Sequence, residues 1–305
     1  MGKSLIVFKL LLINLCLHLL LACSPISDDE FFEPEKTDTY LLEKYNGETG
    51  FDLGSNFNIL PSQVNEINLE SNDGKSITNI SGIFLGNINQ INTKTVIVYC
   101  HDKSKNIDYY WPRLQILAQL DLNDFGIFAV DYRGYGKSEG TPSESGFYAD
   151  VNAALVWLED QGLTGDRLIM YGYGIGSAVA IELTSNPRSL TPAKLIIESP
   201  LASIESLIQD TTLQSTPSAF LTELKFDNVS KMRHITQPLM WLHGSADKVY
   251  DIENQGELLF NQHTGTETVD KFAHRIDGAS HENVPLLFAN GTSGYVFEIL
   301  SFINL

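Results

Sequence analysis

From about residue 94 onward the chain alternates short, uninterrupted apolar runs with longer segments of helical period, and that alternation restricts its fold more than any other feature. Val96-Ile97-Val98, Leu168-Ile169-Met170 and Leu195-Ile196-Ile197 lack the polar alternation of a half-exposed strand, so they read as strands buried on both faces. The expected series is strand 94–100, helix 109–120, strand 126–130, helix 144–158, strand 167–171, helix 175–185 and strand 194–198. After an interruption come strand 238–243, helix 253–261, strand 271–276 and a closing helix 294–303. Ahead of the series, two alternating runs at 64–70 and 76–85 flank Asn72-Asp73-Gly74, a hairpin signal. A hairpin followed by strand–helix units implies an α/β fold with a mostly parallel central sheet and helices on both faces. Residues 201–233 are helical but irregular, and a small helical cap is their expected use.

With 305 residues, 43% hydrophobic and 19% charged, the chain can bury one large core, which excludes a coiled coil, a collagen-like chain and wholesale disorder. Its 38 acidic against 20 basic residues give a formal charge of -18, which repels the phosphate backbone and argues against a nucleic-acid partner. No internal repeat interrupts the domain.

The first residues read as a targeting segment. Lys3 and Lys9 precede and interrupt a Leu-rich run from Leu10 to Leu21, too short and too polar at Asn14 and His18 for a membrane span. Leu20-Leu21-Ala22-Cys23 resembles a bacterial lipobox. The resemblance implies removal of residues 1–22 and acylation of Cys23, which would tie the protein to the lipid bilayer of the cell envelope. Ser24 in place of Asp favours the outer membrane by the same resemblance. Residues 23–61, polar and rich in turn formers, are expected to be a tether and an irregular segment packed on the domain, which occupies 62–305. With Cys16 removed and Cys23 acylated, only Cys100 stays a thiol, so no intramolecular disulfide can form.

Three strand ends carry the candidate chemistry. They are Tyr171-Gly172-Tyr173-Gly174-Ile175-Gly176-Ser177, then His243-Gly244-Ser245-Ala246-Asp247, then Gly278-Ala279-Ser280-His281. Their order resembles the α/β-hydrolase superfamily, whose G-x-S-x-G nucleophile elbow is followed by an acid and a His. Asp131-Tyr132-Arg133-Gly134-Tyr135-Gly136-Lys137-Ser138 is similar to a turn of that superfamily's peptidase, esterase and thioesterase-like branch. The resemblance implies an α/β-hydrolase fold and Asp247 and His281 as the acid and base of a triad.

The nucleophile position, however, is Gly174. An elbow holds this residue at positive φ, which Gly tolerates, so the turn survives while the attacking oxygen is lost. The loop after the third strand reads His101-Asp102 where relatives carry His-Gly. Backbone N–H groups near Asp102 and at Ile175 are the expected oxyanion hole, and a carboxylate there opposes negative charge unless it points away. Asp247 and His281 would then persist as a structural pair. Asp251 fits a helix N-cap, Ser177 should face backbone carbonyls inside its helix, and Cys100 should be an inert buried thiol. Tyr109, Tyr110 and Trp111 should pack, with Pro112 in the first helical turn. His spacings offer no metal site, and no cofactor is expected.

Two functions remain open from the sequence, beside a purely structural envelope lipoprotein with no ligand and no pocket. One is a lipid-anchored hydrolase-fold protein, descended from enzymes of ester, thioester or amide bonds, that binds a small acyl or peptide-like ligand or a partner with little turnover. The other is a weak hydrolase in which His281 activates a water in the space left by the missing Ser side chain.

Overall fold

The computed structural model describes residues 31–45, 47–210 and 222–305. The expected signal segment, Cys23, and residues 211–221 of the expected cap lie outside the described residues. The strands are β1 (Glu33–Pro34), β2 (Val64–Asn72), β3 (Ile77–Leu85), β4 (Thr95–Cys100), β5 (Ser104–Lys105), β6 (Phe125–Val130), β7 (Leu168–Tyr173), β8 (Lys194–Glu198), β9 (Leu239–Gly244) and β10 (Lys271–Ile276). Eight of them form one sheet in the order β10-β9-β8-β7-β4-β6-β3-β2. The β2–β3 and β3–β6 pairs are antiparallel and the others parallel, as the strand and helix alternation implies.

The hairpin forms where Asn72 and Asp73 fold their side chains onto the backbone ahead. Asn72 accepts from the Gly74 N–H and Asp73 from Lys75 and Ser76, while Gly74 takes φ +83°. Helices α1 (Ile107–Leu117) and α8 (Gly291–Ile303) cover one face of the sheet, and α2 (Glu144–Asp160) and α3 (Gly176–Ser185) cover the other. Both faces are apolar because successive strand residues enter opposite layers: Val96 and Val98 pack with α2 and α3, and Ile97 and Tyr99 with α1. Short helices α4 (Ile204–Asp210), α5 (Asn228–Met232), α6 (Leu258–Gln262) and α7 (Val284–Leu287) fill the connections.

Several element boundaries differ from the sequence expectation, and three of the differences have a visible cause. β7 continues to Tyr173, because Cys100↔Gly172 and Tyr173↔Glu198 extend its ladders to the elbow itself. Helix α1 starts at Ile107, since Asn106 caps it by accepting the Asp108 N–H at 3.0 Å. Pro112 therefore sits inside the helix, not in its first turn, and the nearby Tyr109 carbonyl accepts the N–H of Glu48 from outside. The helix expected at 253–261 splits into a π-helical turn, Ile252–Glu257, and α6. Gly256 lets that turn press against the indole of Trp241, where a Cβ would meet Nε1 at 2.5 Å.

The segment before the sheet is a strap laid over the loops at the strand ends. β1 pairs in parallel with β5, directly after Asp102. Phe32 is buried against Phe147, Tyr40 donates to Asp131 at 2.7 Å, and the Leu41 and Leu42 N–H groups donate to Asp108. At its far end Glu48, buried, accepts two hydrogen bonds from the buried Arg113, from Nε at 2.6 Å and Nη2 at 2.9 Å. Arg113 also donates to Glu198 Oε1 at 2.7 Å and lies 3.7 Å from the Tyr173 ring centroid. Burial raises the Glu48 carboxyl above its usual range even though Arg113 pulls it down. Removing one partner of a buried pair strands the other. Glu48→Ala should therefore lower stability by about 3 kcal/mol in urea unfolding, and a smaller loss than 1 kcal/mol would show that the strap end is not held by this pair.

Candidate functional site

The elbow forms because three glycines let backbones approach more closely than side chains permit. A Cβ on Gly172 would meet the Gly176 carbonyl oxygen at 2.6 Å, and one on Gly176 would meet the His101 carbonyl oxygen at 2.6 Å. Gly174 lies at the apex with φ +56°, the left-handed conformation expected of an elbow. Its N–H donates to the Glu198 carbonyl at 3.0 Å, and its own carbonyl accepts from the Ser177 N–H at 3.1 Å, so the turn is fully tied down.

Around this apex the structure brings together Asp102, Ile175, Asp247 and His281. Asp247 lies after β9, and its Oδ1 accepts the Val249 and Tyr250 N–H groups at 2.8 and 2.9 Å. Its Oδ2 lies 2.9 Å from His281 Nδ1 and 3.1 Å from His243 Nε2. The Trp241 indole N–H donates to His243 Nδ1 at 3.3 Å, which leaves the His243 proton on Nε2, facing Asp247 and the Tyr250 carbonyl. This half of the site has the connectivity of an acid–base pair.

The other half does not. The Asp102 carboxylate points inward: Oδ1 accepts the Ile175 N–H at 2.7 Å, and Oδ2 lies 3.3 Å from His281 Nε2. A Cβ placed on Gly174 would lie well inside contact distance of Asp102 Oδ1 and Cγ and 2.8 Å from its Cβ. The acidic side chain thus occupies the volume that a nucleophile's side chain would take, together with the oxyanion donor of Ile175. Two sequence expectations change as a result. The Ile175 N–H is aimed as expected, but it is already bonded to Asp102. The space in which His281 was to activate a water is filled by the same carboxylate.

The electrostatics follow from that placement. Burial lowers the His281 pKa, but hydrogen bonds and charge from Asp102 and Asp247 outweigh it and raise the imidazole to about 10. At neutral pH it is an imidazolium donating from both ring nitrogens, not a base. Burial raises both carboxyls, and the hydrogen bonds of His281 and the backbone on Asp102, and of His243 and His281 on Asp247, bring each below the usual range. Asp102 and His281 are only 7% and 3% exposed, so water does little to screen the triad.

The remaining candidates sit as their residue types imply. Ser177 Oγ donates to the Gly174 carbonyl at 2.6 Å and accepts from Leu201, away from His281. Cys100 is fully buried, and burial pushes its thiol up. Asp251 caps the π turn through Glu253 and Asn254. His101 is packed between Tyr110, Tyr132 and Tyr135, with its Nε2 3.3 Å from Asp131. Arg133 joins Asp150 and Asp73, and Asp131 receives the Ile107 N–H, so both brace loops. Tyr110 and Trp111 are buried packing residues.

Sequence reasoning missed the network under the elbow. Arg113, Glu48 and Glu198 come from three distant segments, and Tyr171 and Tyr295 both donate to Glu198. It also missed Tyr250, whose ring centroid lies 5.1 Å from that of His281. The sequence signal was three charged residues scattered over a helix, a strand end and the strap, which have no spacing to recognise. The pKa directions fix a pH response. The His281 contribution is complete below its unfolded pKa of about 6.5 and is lost as pH rises to about 10, while the two aspartates contribute above about pH 4. The melting temperature should decline between pH 6.5 and 10, and calorimetry on His281→Gln should show a flatter alkaline limb; equal slopes would place the His281 pKa near normal.

Comparison with known proteins agrees with the fold. The family model described as Serine aminopeptidase, S33 matches residues 92–228. Alpha/beta hydrolase domain-containing protein 17B of Xenopus laevis is 33% identical over 162 residues, which are 52% of this chain and 51% of that protein. Protein bem46 of Schizosaccharomyces pombe is 31% identical over 163 residues, 52% of each chain, so the match spans about half the length of these relatives. The Pyrococcus furiosus esterase Pf2001 superposes with a TM-score of 0.63 at 16% identity, covering 81% of this chain and 93% of its own. The Rhodococcus esterase RhEst1 gives 0.59 at 19% identity over 79% and 98%. The sheet order and these matches together show that the chain has the α/β-hydrolase fold and that about half of its length is similar in sequence to α/β-hydrolase proteins.

Proposed function

We propose that this protein is a nucleophile-free member of the α/β-hydrolase superfamily that binds a small acyl or peptide-like ligand, or a partner, with little covalent turnover. The observation that carries this reading is the Asp102 carboxylate lodged over Gly174, between the Ile175 N–H and His281. An acyl-enzyme needs an attacking atom beside a neutral base. Here the attacking atom is absent and the imidazole is held as a cation by two carboxylates. Beside the His281 loop lies a cleft of about 410 Å³, lined by Tyr109, Ser280, Glu282, Leu286 and Leu287. Its mix of apolar walls and hydroxyl and carboxylate groups suits an amphipathic ligand of modest size.

We also propose export and acylation at Cys23, on the strength of Leu20-Leu21-Ala22-Cys23 behind a basic start and an apolar run. Two or more acyl chains would hold the protein at the envelope, since each buried methylene adds about 0.8 kcal/mol. The acidic body is repelled by anionic headgroups, so the lipid alone would supply attachment. Cells expressing the protein should incorporate labelled palmitate into it, and Cys23→Ala should abolish the label.

Two further outcomes test the reading of the site. A fluorophosphonate probe should leave the purified protein unlabelled; a serine adduct would establish a working nucleophile. Gly174→Ser alone should not restore p-nitrophenyl ester hydrolysis, because the new side chain collides with Asp102. Paired with Asp102→Gly, the same substitution should exceed the single variant by about a hundredfold or more, the order expected when an oxyanion hole is freed. Equal rates for the single and double variants would show that Asp102 is not the obstruction.

A further inference from the structure

The buried site is complementary to a particular chemical group. Ile175 N–H and His281 Nε2 converge on the two oxygens of one carboxylate, at 2.7 and 3.3 Å. One donor is a neutral amide at the start of the ten-residue helix α3, and the other is an imidazolium fixed from behind by Asp247 at 2.9 Å. A peptide N–H at a helix start and a cationic N–H form a charge-assisted pair for a planar anion. Gly174 supplies the room, since any side chain there would meet the carboxyl carbon. The rings of Tyr173 and Tyr250 each stand 5.1 Å from the imidazole, centroid to centroid, and His281 is only 3% exposed. The hydroxyl of Tyr250 is fully buried, has no hydrogen-bond partner among the described residues, and feels the charges of Asp102 and Asp247. It is a spare donor beside an anion site.

We infer that the elbow is a recognition site for a monocarboxylate, and that Asp102 is its resident occupant, withdrawn when an external acid binds. Withdrawal is a rotation of the Asp102 side chain out of the elbow, because the backbone on either side of it is pinned: the His101 carbonyl accepts from the Tyr132 hydroxyl at 2.8 Å, the Lys103 carbonyl from Tyr135 and the Ser104 carbonyl from Tyr110 at 2.9 Å. The arithmetic of charge points the same way. Two carboxylates on one imidazolium leave a net negative charge, so withdrawing Asp102 leaves the neutral His281–Asp247 pair ready for one anion. The ligand class is an organic acid, whether a fatty acid or a peptide terminus, whose remainder would lie in the cleft lined by Ser280 and Glu282, the chain neighbours of His281. This inference rests on the nucleophile-free reading, yet it fails separately. A fluorophosphonate adduct defeats that reading, whereas the experiment below concerns only what the vacated elbow binds.

Asp102→Gly opens the elbow, while Asp102→Asn keeps it filled by a neutral side chain. In the full chain, sodium acetate should raise the melting temperature of Asp102→Gly saturably, by about 3 °C or more at tenfold excess over its dissociation constant. It should also shift the His281 ring resonances in nitrogen-15 NMR, with sodium chloride as the ionic control. Acetamide, equal in shape but uncharged, should do neither. Asp102→Asn should not respond, and the wild type should respond to acetate only at a far higher concentration than Asp102→Gly, because its tethered carboxylate competes with the free acid; a wild type that never responds overturns the withdrawal of Asp102. A folded Asp102→Gly that responds to acetate no more than to chloride, or equally to acetamide, overturns the inference. So does a response that survives the added His281→Ala change. Should Asp102→Gly fail to fold, Asp102→Ser takes its place. The wild type supplies an independent check: a His281 that titrates as a free imidazole overturns the resident-carboxylate site itself. Octanoate against N-acetylalanine then separates a fatty acid from a peptide terminus by which binds more tightly than acetate.

Discussion

The centre of this molecule depends on a buried imidazolium held between two carboxylates. His281 donates to Asp247 on one side and to Asp102 on the other, in a site almost closed to water. Charges in such a site are tolerated only when each meets a partner and its remaining hydrogen-bonding capacity is met. That condition is fulfilled from several directions at once: Val249 and Tyr250 amides and His243 on Asp247, and the Ile175 amide on Asp102. The loops after β4, β7, β9 and β10 are consequently locked to one another through a single ring.

A second ion cluster lies under the first. Arg113 bridges Glu48 of the strap and Glu198 at the end of β8, and Glu198 accepts two tyrosine hydroxyls as well. Its guanidinium packs on Tyr173, the residue before the apex of the elbow. The strap is therefore continuous with the site: one end pairs beside Asp102 and the other enters the charge network under the elbow. An N-terminal segment that the polar, turn-rich sequence marks only as irregular is thus coupled to the groups that decide the chemistry.

The parts of the architecture legible in the sequence are those governed by short-range pattern. Buried runs such as Val96-Ile97-Val98 have no polar alternation, and Asn72-Asp73-Gly74 permits few conformations, so strands and hairpin follow from local sterics and burial. The elbow was legible for the same reason, because Gly172 and Gly176 mark where backbones must meet and Gly174 takes a positive φ. Boundaries slipped where a cap or a ladder decided them, as at Asn106 for α1 and at Tyr173 for β7. The direction of the Asp102 side chain was not legible, since a residue after a strand can turn into the sheet end or out to solvent.

By itself, then, the sequence determined the layered α/β fold, the position of the three strand-end loops and the absence of a side chain at the apex residue, Gly174. These rest on periodicity, on glycine's freedom at positive φ and on the presence or absence of a hydroxyl, all properties of single residues or near neighbours. Only the tertiary structure decided what fills the vacated space. That outcome depends on Asp102, Ile175 and His281 converging from segments up to 179 residues apart, where a carboxylate is stable because a particular amide and a particular imidazolium wait for it. Convergence of that kind is a matter of long-range packing and buried electrostatics, which no local pattern encodes.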